Sequence, residues 1–285
     1  MGYALDHKPA TPLIRLRNIT KTYGKGVAAF QALRGIDLTI HQGEFVAIMG
    51  HSGSGKSTLM NLLGCLDTPT TGTYHYQGIS VGDLDGDQRA LLRRYALGFV
   101  FQGFNLLART NSLENVELPL IYRGLSQKKR DSEAVRSLFS VGLASKLRST
   151  PSELSGGQQQ RVAIARAIVT EPGTLFADEP TGNLDSATTR EIMALLTRLN
   201  AEMGITILMV THEDDVAAYA KRIVRITDGL IASDMSVKKE PPAPAVIQAK
   251  PPAPDSVKTA EDVPPSGGAP STHSHSDFGV TLLKS

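Results

Sequence analysis

Apolar residues along this chain fall into two rhythms. In residues 13–19 and 36–40 they alternate with polar ones, the period-two pattern of a strand with one buried face. Residues 45–49, 97–101, 174–177 and 205–210 are apolar almost throughout, as expected of strands buried on both faces. Helical patterns lie between these runs. One starts at Leu59, one covers 87–95 with a basic end at Arg93 and Arg94, and one covers 186–203 and is closed by Gly204. Helical spacing also dominates 112–169, including 126–141 and a stretch from near Ser155, with breaks at Gly142 and Pro151. Residues 73–76 add a short strand, and 222–226 with 230–231 close the ordered pattern. Strands alternating with helices predict an α/β fold around a mainly parallel sheet, covered on both faces, with the long helical stretch inserted into it.

The pattern stops near Ser236. Nine of the sixteen prolines lie beyond that point, charges balance, and large apolar residues are scarce until Phe278. Such a segment cannot bury enough surface to offset its ordering entropy, so 236–285 is expected to be a disordered, Pro-rich tail. His273 and His275 within it are expected to be solvated rather than metal-bound. Residues 1–12 read as an extension without a signal-peptide layout, leaving 13–235 as the domain. At 41% hydrophobic and 20% charged residues the composition is that of a globular protein, and a net charge of +2 gives no electrostatic case for nucleic acid. The single cysteine, Cys65, excludes an intrachain disulfide and is expected to be a packed residue. No run of about 18 apolar residues is present, so any membrane-spanning part must belong to another chain.

Candidate chemistry begins directly after the strand at 45–49. Gly50-His51-Ser52-Gly53-Ser54-Gly55-Lys56-Ser57, followed by Thr58, is a G-x-x-x-x-G-K-[ST] loop between a strand and a helix. A ligand-free turn would not need all the fixed positions together with both flanks. Backbone N–H groups of such a loop point at phosphate oxygens, and the helix start adds its positive end. Lys56 is placed for the β- and γ-phosphates, and the Ser57 hydroxyl for Mg²⁺. Asp178 and Glu179 end an apolar strand. Asp178 suits an outer ligand of Mg²⁺, and Glu179 suits orienting or deprotonating a water. His212 follows the strand at 205–210, where it is either a γ-phosphate sensor or a structural side chain. Tyr23 is either a surface aromatic or a platform for a nucleotide base. Leu154-Ser155-Gly156-Gly157-Gln158 offers a second anion-binding helix start, with Ser155 as cap. One nucleotide can use both helix starts only if they converge, within one chain or across two.

Together these pieces resemble the ATP-binding subunits of ABC transporters. Gly50 to Ser57 matches Walker A. Leu154 to Gln158 matches the ABC signature letter for letter and is followed by Gln159-Gln160-Arg161. Gln102 falls at the Q-loop, Asp178-Glu179 at Walker B and the catalytic glutamate, Asn183-Leu184-Asp185 at the D-loop, His212 at the switch histidine and Tyr23 at the adenine-stacking position. The resemblance spans about 13–232 and implies a phosphate-loop NTPase with an antiparallel β subdomain and a helical subdomain near 103–168. It implies ATP and Mg²⁺ as cofactors, with Ser57, Gln102 and Asp178 at the metal. It also implies a head-to-tail homodimer in which Ser155, Gly156, Gly157 and Gln158 of one copy close over ATP held by the other.

A narrower resemblance joins Phe101 to Leu107, Glu114 to Leu120 and Asp178 to Asp185 to the macrolide-export and lipoprotein-release branch. It implies an integral membrane permease as partner, allows a periplasmic membrane-fusion adaptor, and places the chain peripherally at the cytoplasmic face of the inner membrane. Ala108-Arg109-Thr110-Asn111 lacks a proline common there. A regulatory ATPase of the cell-division type is the alternative. Chromosome-structure ABC proteins need a long coiled coil, and no sustained heptad run lies between Gln102 and Leu154.

Overall fold

The computed structural model describes residues 12–237. The expectations for the tail and for the N-terminal extension fall on residues outside this range, apart from its ends. In chain order the strands are β1 (Ile14–Tyr23), β2 (Phe30–Ile40), β3 (Phe45–Met49), β4 (Thr71–Tyr76), β5 (Ile79–Ser80), β6 (Leu97–Phe101), β7 (Thr174–Asp178), β8 (Thr206–Val210), β9 (Arg222–Thr227) and β10 (Leu230–Ser236). The helices are α1 (Lys56–Leu63), α2 (Gly86–Ala96), α3 (Ser112–Tyr122), α4 (Gln127–Ser140), α5 (Gly156–Ile168), α6 (Ser186–Met203) and the single turn α7 (Asp214–Ala217).

Two sheets result. One is antiparallel, in the order β2-β1-β4-β5. The other, in the order β10-β9-β3-β8-β7-β6, is parallel except for the antiparallel edge strand β10. The continuous apolar runs have a direct cause. Alternate residues of a strand face opposite sides, and each side of the parallel sheet meets a different core. Phe45, Ala47 and Met49 of β3, with Ile207 and Met209 of β8, face a core completed by α3–α6. Val46, Ile48, Leu208 and Val210 face the other core, which is completed by α1 and the antiparallel sheet. The alternating strand β1 serves one core only: Ile14, Leu16 and Ile19 are buried, while Arg15, Arg17 and Asn18 are exposed. The two consecutive polar residues mark a bulge, where the pairing slips between Leu16 and Ile19.

Helix ends follow local chemistry. Asp85 caps α2 by accepting from Gln88 N–H at 2.9 Å, and Asn111 caps α3 by accepting from Glu114 N–H at 2.9 Å. Both caps belong to reciprocal capping boxes. The insertion between β6 and β7 consists of α3, α4 and α5, with two short 3-10 turns before α5. Several strands outrun their apolar pattern: β1 runs on to Tyr23, β2 begins at Phe30 and β10 runs on to Ser236. Apart from Ala32 and Leu33 of β2, which are buried, most of the added residues pair through the backbone while their side chains stay exposed or half-buried, which hydropathy does not mark.

Leu208 is fully buried in the core beneath the antiparallel sheet, whereas Val27 is fully exposed. Leu208→Ala should lower unfolding stability by about 2–5 kcal/mol, and Val27→Ala should change it by less than about 0.5 kcal/mol, both read from urea unfolding midpoints.

Candidate nucleotide-binding site

The loop after β3 is shaped by close approach of backbone. Gly50 has φ 156°, and a Cβ there would lie 2.3 Å from the Ile226 carbonyl oxygen. Gly55 begins α1 with φ 106°, and a Cβ there would meet the Ala32 carbonyl at 2.7 Å. Only glycine fits either position. Ser52, Gly53 and Ser57 are exposed, while Ser54 is fully buried with its hydroxyl lacking a hydrogen-bond partner. His51 is exposed, and its Nε2 stands 3.8 Å from Asp228 in the β9–β10 turn. Thr58 continues the first turn of α1.

Lys56 is 8% exposed, and its Nζ donates to the carbonyls of Gly50 and His51, both at 2.8 Å. Those oxygens satisfy donors but bring no negative charge. An ammonium buried this way, with a third donor left over, is set to receive an anion.

The other candidates come from neighbouring strand ends. Gln102 follows β6, Asp178 ends β7, Glu179 follows it, and His212 comes just after β8. Parallel strands present all their C-terminal ends on one side, which gathers these residues beside the loop that follows β3. Burial raises the Asp178 carboxyl above its ordinary pKa, the neighbouring Glu179 charge raises it further, and Lys56 opposes both. Glu179 has φ 45°, an uncommon conformation for a non-glycine residue. Its N–H donates to the Val210 carbonyl at 3.0 Å, and its Oε1 lies 3.1 Å from His212 Nδ1.

Gln102 forms a two-way pair with Asn183. Gln102 Nε2 donates to Asn183 Oδ1, and Asn183 Nδ2 donates to the Gln102 carbonyl, each at 3.2 Å. Asp185 acts as the N-cap of α6, accepting from Ala187 N–H, Thr188 N–H and the Thr188 hydroxyl. The bonds from Thr188 hold its carboxyl below the ordinary pKa.

Ser155 caps α5. Its Oγ accepts from Gln158 N–H at 3.3 Å, and Gln158 Oε1 accepts from Ser155 N–H at 3.1 Å. A Cβ on Gly157 would meet Thr188 Cγ2 at 2.3 Å, and one on Gly156 would meet Leu184 at 3.3 Å. The signature therefore packs on the start of α6 and not on the phosphate loop. Val162, Ile164 and Ile168 of α5 enter one core, whereas Leu59, Leu62 and Leu63 of α1 enter the other. The two anion-binding helix starts thus belong to opposite faces of the parallel sheet.

Tyr23 ends β1 and is 40% exposed. Its hydroxyl donates to Asp67 Oδ2 at 2.9 Å, and Lys21 Nζ sits 5.0 Å from its ring centroid while pairing with Asp67 at 2.6 Å. This tethering was invisible in the sequence because 44 residues separate Tyr23 from Asp67. Cys65 is buried, as expected, and burial pushes its thiol up to about 11, so it is not a reactive thiolate.

Phosphate and Mg²⁺ fit these residues. The loop's backbone cradle, the orphaned Ser54 hydroxyl and the buried Lys56 with a donor to spare all suit a phosphate. Among the described residues no group of three His, Cys, Asp or Glu side chains could hold a metal alone. A site of Ser57, Gln102 and one carboxylate, Asp178, matches a hard cation that arrives with phosphate oxygens.

A phosphate loop after a central parallel strand, with a carboxylate pair two strands away, defines a phosphate-loop NTPase. The family model described as ABC transporter matches residues 33–182, and this chain belongs to that family. It is 56% identical over 221 residues to the macrolide export ATP-binding/permease protein MacB of Syntrophobacter fumaroxidans, covering 77% of this chain and 31% of that protein. It is 54% identical over 232 residues to the pyoverdine export ATP-binding/permease protein PvdT of Pseudomonas fluorescens, covering 81% of this chain and 35% of that protein. Against YknY of Bacillus subtilis, an uncharacterized ABC transporter ATP-binding protein, identity is 54% over 219 residues, covering 77% and 95%. The chain thus spans about a third of the length of the two export relatives. A solved dimeric post-hydrolysis state of an ATP-binding cassette, bound to ADP and Pi, aligns with TM-score 0.73 and 45% identity over 79% of this chain and 99% of that one.

Partial burial raises the Asp67 carboxyl, but hydrogen bonds from Lys21, Thr68 N–H and Tyr23 outweigh it and hold the pKa below its ordinary value. The stability this carboxylate adds is therefore present above its unfolded pKa, about 3.9, and is lost as pH falls through the lower folded value. Asp67→Asn should unfold at lower urea than the parent at pH 7, and the two midpoints should converge as pH falls below the folded pKa of Asp67.

Proposed function

We propose that this chain is the ATP-binding and ATP-hydrolysing subunit of an export-type ABC transporter, working as a homodimer beneath a separate integral membrane permease. The observation that carries the reading is Lys56, buried and held only by the carbonyls of its own loop, with Glu179 and His212 paired on the neighbouring strand ends.

Tyr23 stacks on the adenine. Backbone N–H groups of Gly50 to Thr58 wrap the phosphates, and Lys56 turns its free donor to the β- and γ-phosphates. Ser57, Gln102 and Asp178 would hold a Mg²⁺ ion, which would supply charge neutralisation at the phosphates. Glu179 accepts a hydrogen bond from the attacking water and takes up its proton as the water oxygen bonds the γ-phosphorus and the bond from that phosphorus to the β–γ bridging oxygen breaks, releasing ADP. His212 fixes the Glu179 carboxylate and faces the γ-phosphate.

Dimerisation is supported by the placement of α1 and α5 on opposite faces, and by the dimeric state of the similar cassette. Ser155, Gly156, Gly157 and Gln158 of a second copy complete the site, with Asp185 at the junction. A membrane permease as partner is supported by one observation. A groove of about 630 Å³ opens between α2, β6, α3 and α5, floored by Phe99, Phe101, Leu118 and Tyr122 and edged by Arg93 and Arg166. Its apolar floor and cationic rim suit a short amphipathic segment from the membrane subunit. The chain then sits peripherally at the cytoplasmic face of the membrane. The named export relatives support export, and the narrower resemblance supports transmission of motion to a periplasmic adaptor, as in macrolide export or lipoprotein release.

Lys56→Ala should weaken ATP binding about 100-fold, equivalent to the loss of one charged hydrogen bond; near-parental affinity in a fluorescent-nucleotide titration refutes the phosphate-loop role. Glu179→Gln should bind ATP normally, hydrolyse it at least about 100-fold more slowly, and accumulate as an ATP-bound dimer by light scattering. A monomer under those conditions would refute the composite site.

A further inference from the structure

Gln160 has no part in the site described above, yet its surroundings are those of a working side chain. It is fully buried, its Nε2 donates to the Pro180 carbonyl at 2.6 Å, and its Oε1 has no partner. It lies on the buried stripe of α5 that continues through Ile164 and Ile168. An apolar side chain there would pack without leaving an orphaned acceptor, so the amide is present for its N–H, at a cost.

The acceptor belongs to the residue after Glu179. Glu179, at φ 45°, does not hold that conformation by local preference. Among the bonds that fix the turn are Glu179 N–H to the Val210 carbonyl at 3.0 Å, Gly182 N–H to the Glu179 carbonyl at 3.1 Å, and Gln160 to Pro180. Two of these are backbone bonds from the sheet and from the turn itself. Only the third comes from α5. Proline has no N–H, so the carbonyl is the one polar group by which Pro180 can be held. Little more than one helical turn before Gln160, the same helix starts at Ser155 and Gly157.

We propose that Gln160 is a positioning residue that ties the signature end of α5 to Glu179. When Ser155 and Gly157 engage the nucleotide of the opposing copy, α5 moves as a rigid rod, and the Gln160–Pro180 bond carries that shift into the turn bearing Glu179. The carboxylate comes into line with the water only when the opposing site is closed. The inference rests on the proposed role of Glu179.

Gln160→Leu removes the donor and the orphaned acceptor at similar volume. In the full chain it should lower ATPase kcat about 10- to 100-fold, the usual effect of misplacing a catalytic group. KM, nucleotide affinity and Tm should stay near parental, and the double variant with Glu179→Gln should still dimerise with ATP. Gln160→Glu adds a pH signature. Protonated, it donates an O–H to the Pro180 carbonyl; ionised, it cannot, so its kcat relative to the parent should rise as pH falls. Parental kcat in Gln160→Leu overturns the proposal. So does a loss matched by an equal fall in Tm or nucleotide affinity, which marks packing alone, and so does a flat pH ratio for Gln160→Glu. If Glu179→Gln retains hydrolysis, the functional reading itself fails; if it loses hydrolysis while Gln160→Leu does not, only this inference fails.

Discussion

β3, β7 and β8 each feed two cores at once. Successive side chains of β3 pass alternately into the helical layer and into the layer formed by α1 and the antiparallel sheet. Losing either layer would strip one whole face of the parallel sheet, so the sheet, the insertion and the antiparallel subdomain stand together. Burial on both faces also fixes the ends of the strands. Their C-terminal loops are the places where backbone can leave the sheet and meet a ligand, and they gather the phosphate loop, Gln102, Asp178, Glu179 and His212 along one edge.

The segment from Glu179 to Asp185 is where several elements meet. His212 meets it at Glu179, Gln160 at Pro180, Gln102 at Asn183, and α6 begins from its Asp185 cap. Each contact comes from a different element: a strand end, the signature helix, the loop beside the apolar groove, and the next helix. Arg166 adds a further tie, donating to the Phe104 and Asn105 carbonyls, so α5 also grips the loop after Gln102. Contacts from the groove side and from the signature helix therefore converge on the same few residues.

Electrostatics sets which of these groups are settled and which await a partner. Asp185 and Asp67 have their donors and lie below ordinary carboxylate pKa values. Asp178 lies above, crowded by burial and by Glu179. Lys56 is buried against carbonyls alone. The two groups nearest the phosphate position, Asp178 and Lys56, offset one another only in part.

Much of this was legible in the chain itself. Gly50 to Ser57 marks its loop because only glycine tolerates carbonyls at 2.3 and 2.7 Å from a Cβ position, and Asp178-Glu179 stands out as charge at the end of an apolar strand. Continuous apolar runs marked the two-faced sheet, and alternation marked β1. What the sequence could not carry is what depends on distant backbone. The added residues of β2 and β10 pair through main-chain groups that hydropathy does not register. The tether of Tyr23 and Lys21 to Asp67 spans residues far apart in the chain and left no local mark. Gln160 was one polar letter in an apolar stripe, with a partner 20 residues away. Above all, whether the two anion-binding helix starts converge could not be read from local spacing. Only the packing of α1 and α5 into separate cores puts them on opposite faces of one sheet, because each helix goes where its own apolar stripe is buried.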